Sequence, residues 1–170
     1  MIREYGPILL IPAAWIMTFL TLFYPGVSSY WIEHMHYFIT VFLLAFAATS
    51  WRIMSGPVLK TWRNVIALGI VATGLGALSF HTTQFSELLA GVSIFYWLLA
   101  PGVAAYYTNE SLENHSKAYR FIGYAGVTAF LLYLQGYVID SEIFLALGIL
   151  TAVVSQSISI ILAAKMDGNL

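Results

Sequence analysis

Cysteine is absent from the 170-residue chain, which removes disulfide frameworks, zinc–cysteine clusters, iron–sulfur centres and cysteine nucleophiles from the candidate chemistries. Charge is almost as scarce. Asp, Glu, Lys and Arg make up 9% of the residues, against about 25% in a soluble domain. A water-facing surface cannot be assembled from so few, and a soluble monomer is excluded. A basic surplus is missing too. Seven Lys/Arg against eight Asp/Glu leave a net charge of -1 and a pI near 6.4. No nucleic acid is expected as a partner, because such binders carry a concentrated basic surface. What the chain has instead is 60% hydrophobic and 16% aromatic residues and a mean hydropathy of +0.82.

A bilayer core about 30 Å thick takes roughly 17 to 25 apolar residues in helical form. Stretches free of Asp, Glu, Lys and Arg are therefore the informative unit. Six occur: Gly6–Ile32, His34–Trp51, Asn64–Glu87 (ending at its first acid), Leu88–Asn109, Phe121–Ile139 and Ile143–Ala164. Tyr24-Pro25-Gly26 interrupts the first, and a Pro-Gly pair ends helices. The fold class expected is all-α, a single polytopic integral membrane bundle of six transmembrane helices at about 7–24, 34–51, 64–81, 87–107, 119–139 and 142–164. The first run reads as a retained span rather than a cleaved leader, since no small-residue cleavage motif follows it.

Short-loop Lys and Arg stay on the cytoplasmic side. With six spans, Arg3, the group Arg52, Lys60 and Arg63, the pair Lys117 and Arg120, and Lys165 all fall on one side, and these are all seven bases. The other side receives Glu33, Glu87, Asp140 and Glu142 and no base. Both termini are expected to be cytoplasmic, in a plasma or inner membrane. No acid or base lies deep in any run, which counts against an ion-coupled pump, and the lack of a membrane lysine excludes a retinal Schiff base. Glycines in the third and fifth helices (Gly69, Gly74, Gly76; Gly123, Gly126) favour close helix approach and suggest that those two are central. Thr151, Ser155 and Ser159 form one stripe of the sixth helix and read as packing contacts.

On this topology His34, His36 and His81 share the outer leaflet with the four carboxylates, while His115 sits in a polar loop and is given no role. Imidazole with carboxylate suits zinc, copper or iron. Glu33 and His36, three apart, share a helical face. The candidate metal ligands are therefore His36, His81 and Glu33, with Glu87 in reach as an acid/base group. Plain interfacial residues at helix ends are the competing reading.

The stretch Gly74-Leu-Gly-Ala-Leu-Ser-Phe-His-Thr-Thr, together with Tyr30-Trp-Ile-Glu33 upstream and Ser86-Glu87-Leu-Leu and Ile94-Phe-Tyr downstream, resembles the alkaline ceramidases and the wider CREST membrane hydrolases. The resemblance spans Tyr30 to Tyr96, helices two to four. It implies a zinc-dependent hydrolase acting on a lipid-like amide or ester. In that family three histidines hold the zinc, two of them on the last helix, with a serine one turn before the first and an aspartate on the next helix. Here His81 alone matches a ligand. Ala77 stands at the serine position with Ser79 displaced, Ser86 beside Glu87 stands at the aspartate position, and the sixth helix has no histidine. Under this reading zinc sits on His36, His81 and Glu33, Glu87 is the general base and Ser79 takes a catalytic place. Two alternatives stay open: haem b or a quinone site, with His36 and His81 as axial ligands to the iron, and a non-enzymatic accessory subunit. Membrane lipids are expected partners under all three, and an oligomer or complex partner is left open.

Overall fold

The computed structural model describes residues 2–112 and 115–166, with side chains for 9–112 and 115–163. Among the described residues there are six α-helices and no strand: α1 (Ile2–Phe23), α2 (Ser29–Ser50), α3 (Pro57–Leu78), α4 (Ser86–Glu110), α5 (Ser116–Ile139) and α6 (Glu142–Met166), with one 3-10 turn, Ser79–His81, after α3. Five of them, α2 to α6, are long and apolar enough to cross a membrane, and the described apolar part of α1, Leu9–Phe23, is shorter. Of the charges used for orientation, the side chains of Arg3 and Lys165 lie outside the described residues.

The helices start earlier than the charge-free runs suggest, α3 by the most. α2 begins at Ser29 rather than His34, and α3 at Pro57 rather than Asn64. Charge-free length measures the hydrocarbon layer, whereas a helix can continue through the interface because Lys60 and Arg63 keep their stems on the helix and their heads in water. Gly56 precedes and Pro57 occupies the first turn, where a missing N–H costs nothing. At the other end of the bundle α5 stops at Asp140, which adopts a left-handed conformation (φ 53°), and the Ser141 N–H returns to the Gly136 carbonyl at 2.8 Å.

The helices form a ring in chain order. Each packs on its sequence neighbours and α1 closes the ring against α6, but the α1–α2 seam is the thinnest. α4, α5 and α6 make the tight side. A Cβ built on Gly126 would fall 2.5 Å from the Gly102 Cα, one on Gly123 would fall 2.9 Å from the Tyr106 backbone, and one on Gly148 would fall 2.8 Å from the Tyr133 nitrogen. Hence α5 is central, as its glycines suggest. α3 is not: it lies between α2 and α4, Gly69 and Gly76 admit side chains rather than backbones, and Gly74 faces open space. Gly69 receives the Trp97 ring.

A hydrogen-bond chain crosses the interior. Trp15 Nε1 donates to Gln156 Oε1 (2.9 Å), Gln156 Nε2 to the Trp97 carbonyl (2.8 Å), Trp97 Nε1 to Thr73 Oγ1 (2.9 Å) and Thr73 Oγ1 to the Gly69 carbonyl (2.8 Å). The acceptor at Trp97 has a cause. Pro101 lies inside α4 and has no N–H, so the carbonyl four residues earlier loses its helical partner, and Gln156 supplies one. Ser155 and Ser159, by contrast, bond back into α6 through the Ala152 and Gln156 carbonyls.

Candidate functional site

Because α2 buries so little of itself in the ring, a cavity of about 1180 Å³ opens beside it, lined by residues of all six helices. Drug-sized pockets are typically about 300–1,000 Å³, so this one suits a larger guest. Its walls are mainly aliphatic and aromatic, with Ile39, Leu43 and Phe46 on α2 facing Ile94 and Trp97 on α4. Glu87, His36, Ser79 and Ser93 reach it from the end where α2 and α4 begin, and Ser50 and Thr108 from the end where they finish.

The residues expected to form one metal cluster divide into two groups. Glu33 and His81 do meet, with 3.1 Å between Glu33 Oε1 and His81 Nε2. Tyr37 joins them, one turn after Glu33 on α2. Its hydroxyl donates to Glu33 Oε1 at 2.7 Å and lies 2.5 Å from His81 Nε2. A phenol has one proton, so with it spent on Glu33 the His81 Nε2–H must be the donor to Tyr37, which leaves Nδ1 as the free nitrogen of a neutral ring. The group is open to its surroundings, the His81 side chain being 55% exposed.

His36 points elsewhere. Its Nδ1–H donates to the Ile32 carbonyl at 2.8 Å, so its Nε2 carries the lone pair. The ring lies edge to face with Phe80 and presses on Gly76, where a Cβ would come 2.7 Å from His36 Nε2 and 2.7 Å from Ser93 Oγ. Residues three apart share a face, but not a direction: α2 turns Glu33 toward the 3-10 turn and His36 into the ring. Among the described residues no group of three His, Asp or Glu is placed to hold a metal ion.

Glu87 is exposed in the first turn of α4 at the cavity mouth, where a carboxylate is favoured by the helix dipole. Ser79 is buried and donates to the Gly76 carbonyl at 2.6 Å. His34 stays on the outer face, its Nδ1 bonded to the Tyr30 carbonyl. Sequence reasoning overlooked Tyr37 and Ser93. The signal for Ser93 is that it is the only Ser or Thr in the apolar run from Leu88 to Tyr107. For Tyr37 it is the four-residue spacing from Glu33.

The suggested likeness to the ceramidases thus rests on the residues quoted for it. Compared with protein families, curated proteins and solved structures, the chain shows no match to any of them.

Proposed function

We propose that the chain is an integral membrane protein of six spans, with both termini cytoplasmic in a plasma or inner membrane, which takes a lipid-like amphiphile into the cavity beside α2. The observation that carries this reading is the cavity itself, about 1180 Å³ and lined mainly by apolar side chains. An aqueous solute would gain little from such walls, whereas an acyl chain fits them at no desolvation cost. Polar groups at the α2 and α4 starts, His36, Ser93 and Glu87, give the head of the amphiphile somewhere to sit. The thin α1–α2 seam is its route from the bilayer.

Gly91 on α4 lines the cavity, and a Cβ there meets only the Phe95 ring, at 3.9 Å. A Gly91→Trp side chain therefore fills the space without moving backbone. Lipid co-purifying with the protein, counted by mass spectrometry after exchange into defined vesicles, is expected to fall at least about tenfold, equivalent to about 1.4 kcal/mol of binding. Unchanged retention would remove the cavity as the binding site.

A second reading has one observation in its favour, the convergence of Glu33, Tyr37 and His81. Zinc held there, with bonds of about 2.0–2.2 Å to nitrogen and oxygen, would polarise a lipid amide or ester presented at the interface. The donors would open slightly around it, and His36 would not be a ligand. Elemental analysis of the purified protein should then find near-stoichiometric zinc that His81→Ala removes. Zinc content indifferent to that change would end this reading.

A further inference from the structure

We infer that Ser93 and His36 form a nucleophile and general-base pair inside the cavity, cleaving the carboxylic ester of the bound lipid without a metal; this rests on the cavity being an amphiphile site. Four observations converge on it. His36 has its Nδ1 proton committed to the Ile32 carbonyl, so the Ile32 carbonyl acts as the positioning group that keeps Nε2 basic. Ser93 is 5% exposed, and its hydroxyl has no hydrogen-bond partner among the described residues. Oγ and Nε2 each lie 2.7 Å from the point where a Gly76 Cβ would be, so they are separated by at most twice that distance. Both residues line the cavity.

Glycine at 76 leaves room for both atoms, since the Cβ of any other residue there would come within 2.7 Å of each. A base and a nucleophile somewhat beyond hydrogen-bond length are ordinary in an unliganded site and close when substrate arrives.

The chemistry balances with water as the only co-reactant. Ser93 Oγ bonds to the ester carbonyl carbon while its proton passes to His36 Nε2. The bond from that carbon to the alcohol oxygen then breaks, and His36 returns the proton to the departing alcohol. A water oxygen next attacks the acyl carbon, giving its proton to Nε2, and Ser93 leaves with that proton restored. Ester and water become acid and alcohol, with no change of oxidation state.

The test uses the full-length protein in phosphatidylcholine vesicles and a long-chain alkyl fluorophosphonate, which bonds irreversibly to an activated serine. Peptide mass mapping should find the phosphonyl group on Ser93, with none at that peptide in Ser93→Ala. His36→Gln should slow the modification by about a hundredfold, the low end for general-base removal, and a metal chelator should leave the wild-type rate unchanged. Gly76→Ala, which keeps both side chains but crowds both reacting atoms, should slow it as well, covering the case in which His36→Gln fails to fold. Unmodified Ser93 in protein that still retains lipid would overturn the pair and leave the cavity reading standing. Protein that retains no lipid would count against the cavity reading first. Modification of Ser93 at one rate in wild type and both variants would remove His36 from any role.

Discussion

Along α4, α5 and α6 the neighbours of each helix are backbone; around α2 they are long side chains and open space. The first region brings Gly102 against Gly126 and Gly148 against the Tyr133 backbone, while along α2 only Leu43 and Ser50 are buried. Helices of both regions are apolar enough to cross a membrane, and α5 is hardly more apolar than α2, so hydrophobicity alone does not make the difference. Lipid tails are as apolar as leucine, and helices associate in a bilayer by close packing and interhelical hydrogen bonds. Where glycines face glycines the ring is tight. Where large residues such as Ile39 and Phe46 face Ile94 and Trp97, it opens into a cavity.

The sharpest way to break this contrast is to put a side chain into the tight region. Gly126→Leu must drive α5 away from α4, because even its Cβ would overlap the Gly102 Cα. Overpacking typically costs about 1–3 kcal/mol and sometimes more, and with backbone as the obstacle we expect about 3 kcal/mol or above, read from denaturant unfolding in bicelles. Gly91→Trp, in the open region, should cost less than about 1 kcal/mol, as a side chain filling space without strain does. Equal losses at the two sites would mean that the cavity closes in the membrane.

A smaller but more specific effect concerns the hydrogen-bond chain that joins the two regions. Gln156→Leu leaves the Trp97 carbonyl and the Trp15 indole N–H without partners, and a buried orphan costs about 1–3 kcal/mol; we expect about 2. In a Pro101→Ala background the restored N–H of residue 101 can bond the Trp97 carbonyl, so the same Gln156→Leu change should cost less than about 1 kcal/mol. Equal costs in the two backgrounds would show that Gln156 does not compensate for Pro101.

Very little of that coupling is visible in sequence, and the reason is range. Membrane character is legible because it is a sum over about twenty residues in each run, and helix existence follows from it. The α5 glycines are legible for the same reason, as a local pattern on one face. The link between Pro101 and Gln156 depends on which helices adjoin, which no local spacing encodes. Spacing even misleads at the Ser155 and Ser159 stripe, which satisfies its own helix while Gln156 reaches across. Proximity of Glu33 and His81 follows from two neighbouring helix ends at one depth. The direction of His36 does not, because a three-residue offset settles the face but leaves about 60° of rotation between the side chains, enough to aim one at the 3-10 turn and the other at Gly76.

The smallest effect we expect lies where α2 is fastened. Its starting end is tied to the rest of the ring by Tyr37, which bonds Glu33 on its own helix and His81 beyond α3. Only Leu43 and Ser50 of α2 are buried behind it, so the Tyr37 contact is a main fastening of its starting end. Tyr37→Phe removes only the hydroxyl and leaves the stacked ring against His81. Local opening follows local contacts, so amide exchange in the first turns of α2 should quicken severalfold, while α5, held by glycine contacts along its length, keeps its protection and the overall unfolding midpoint does not move. Exchange that quickened in α5 as well would make the six helices one cooperative unit. An unchanged α2 would mean that packing on α3 alone holds it.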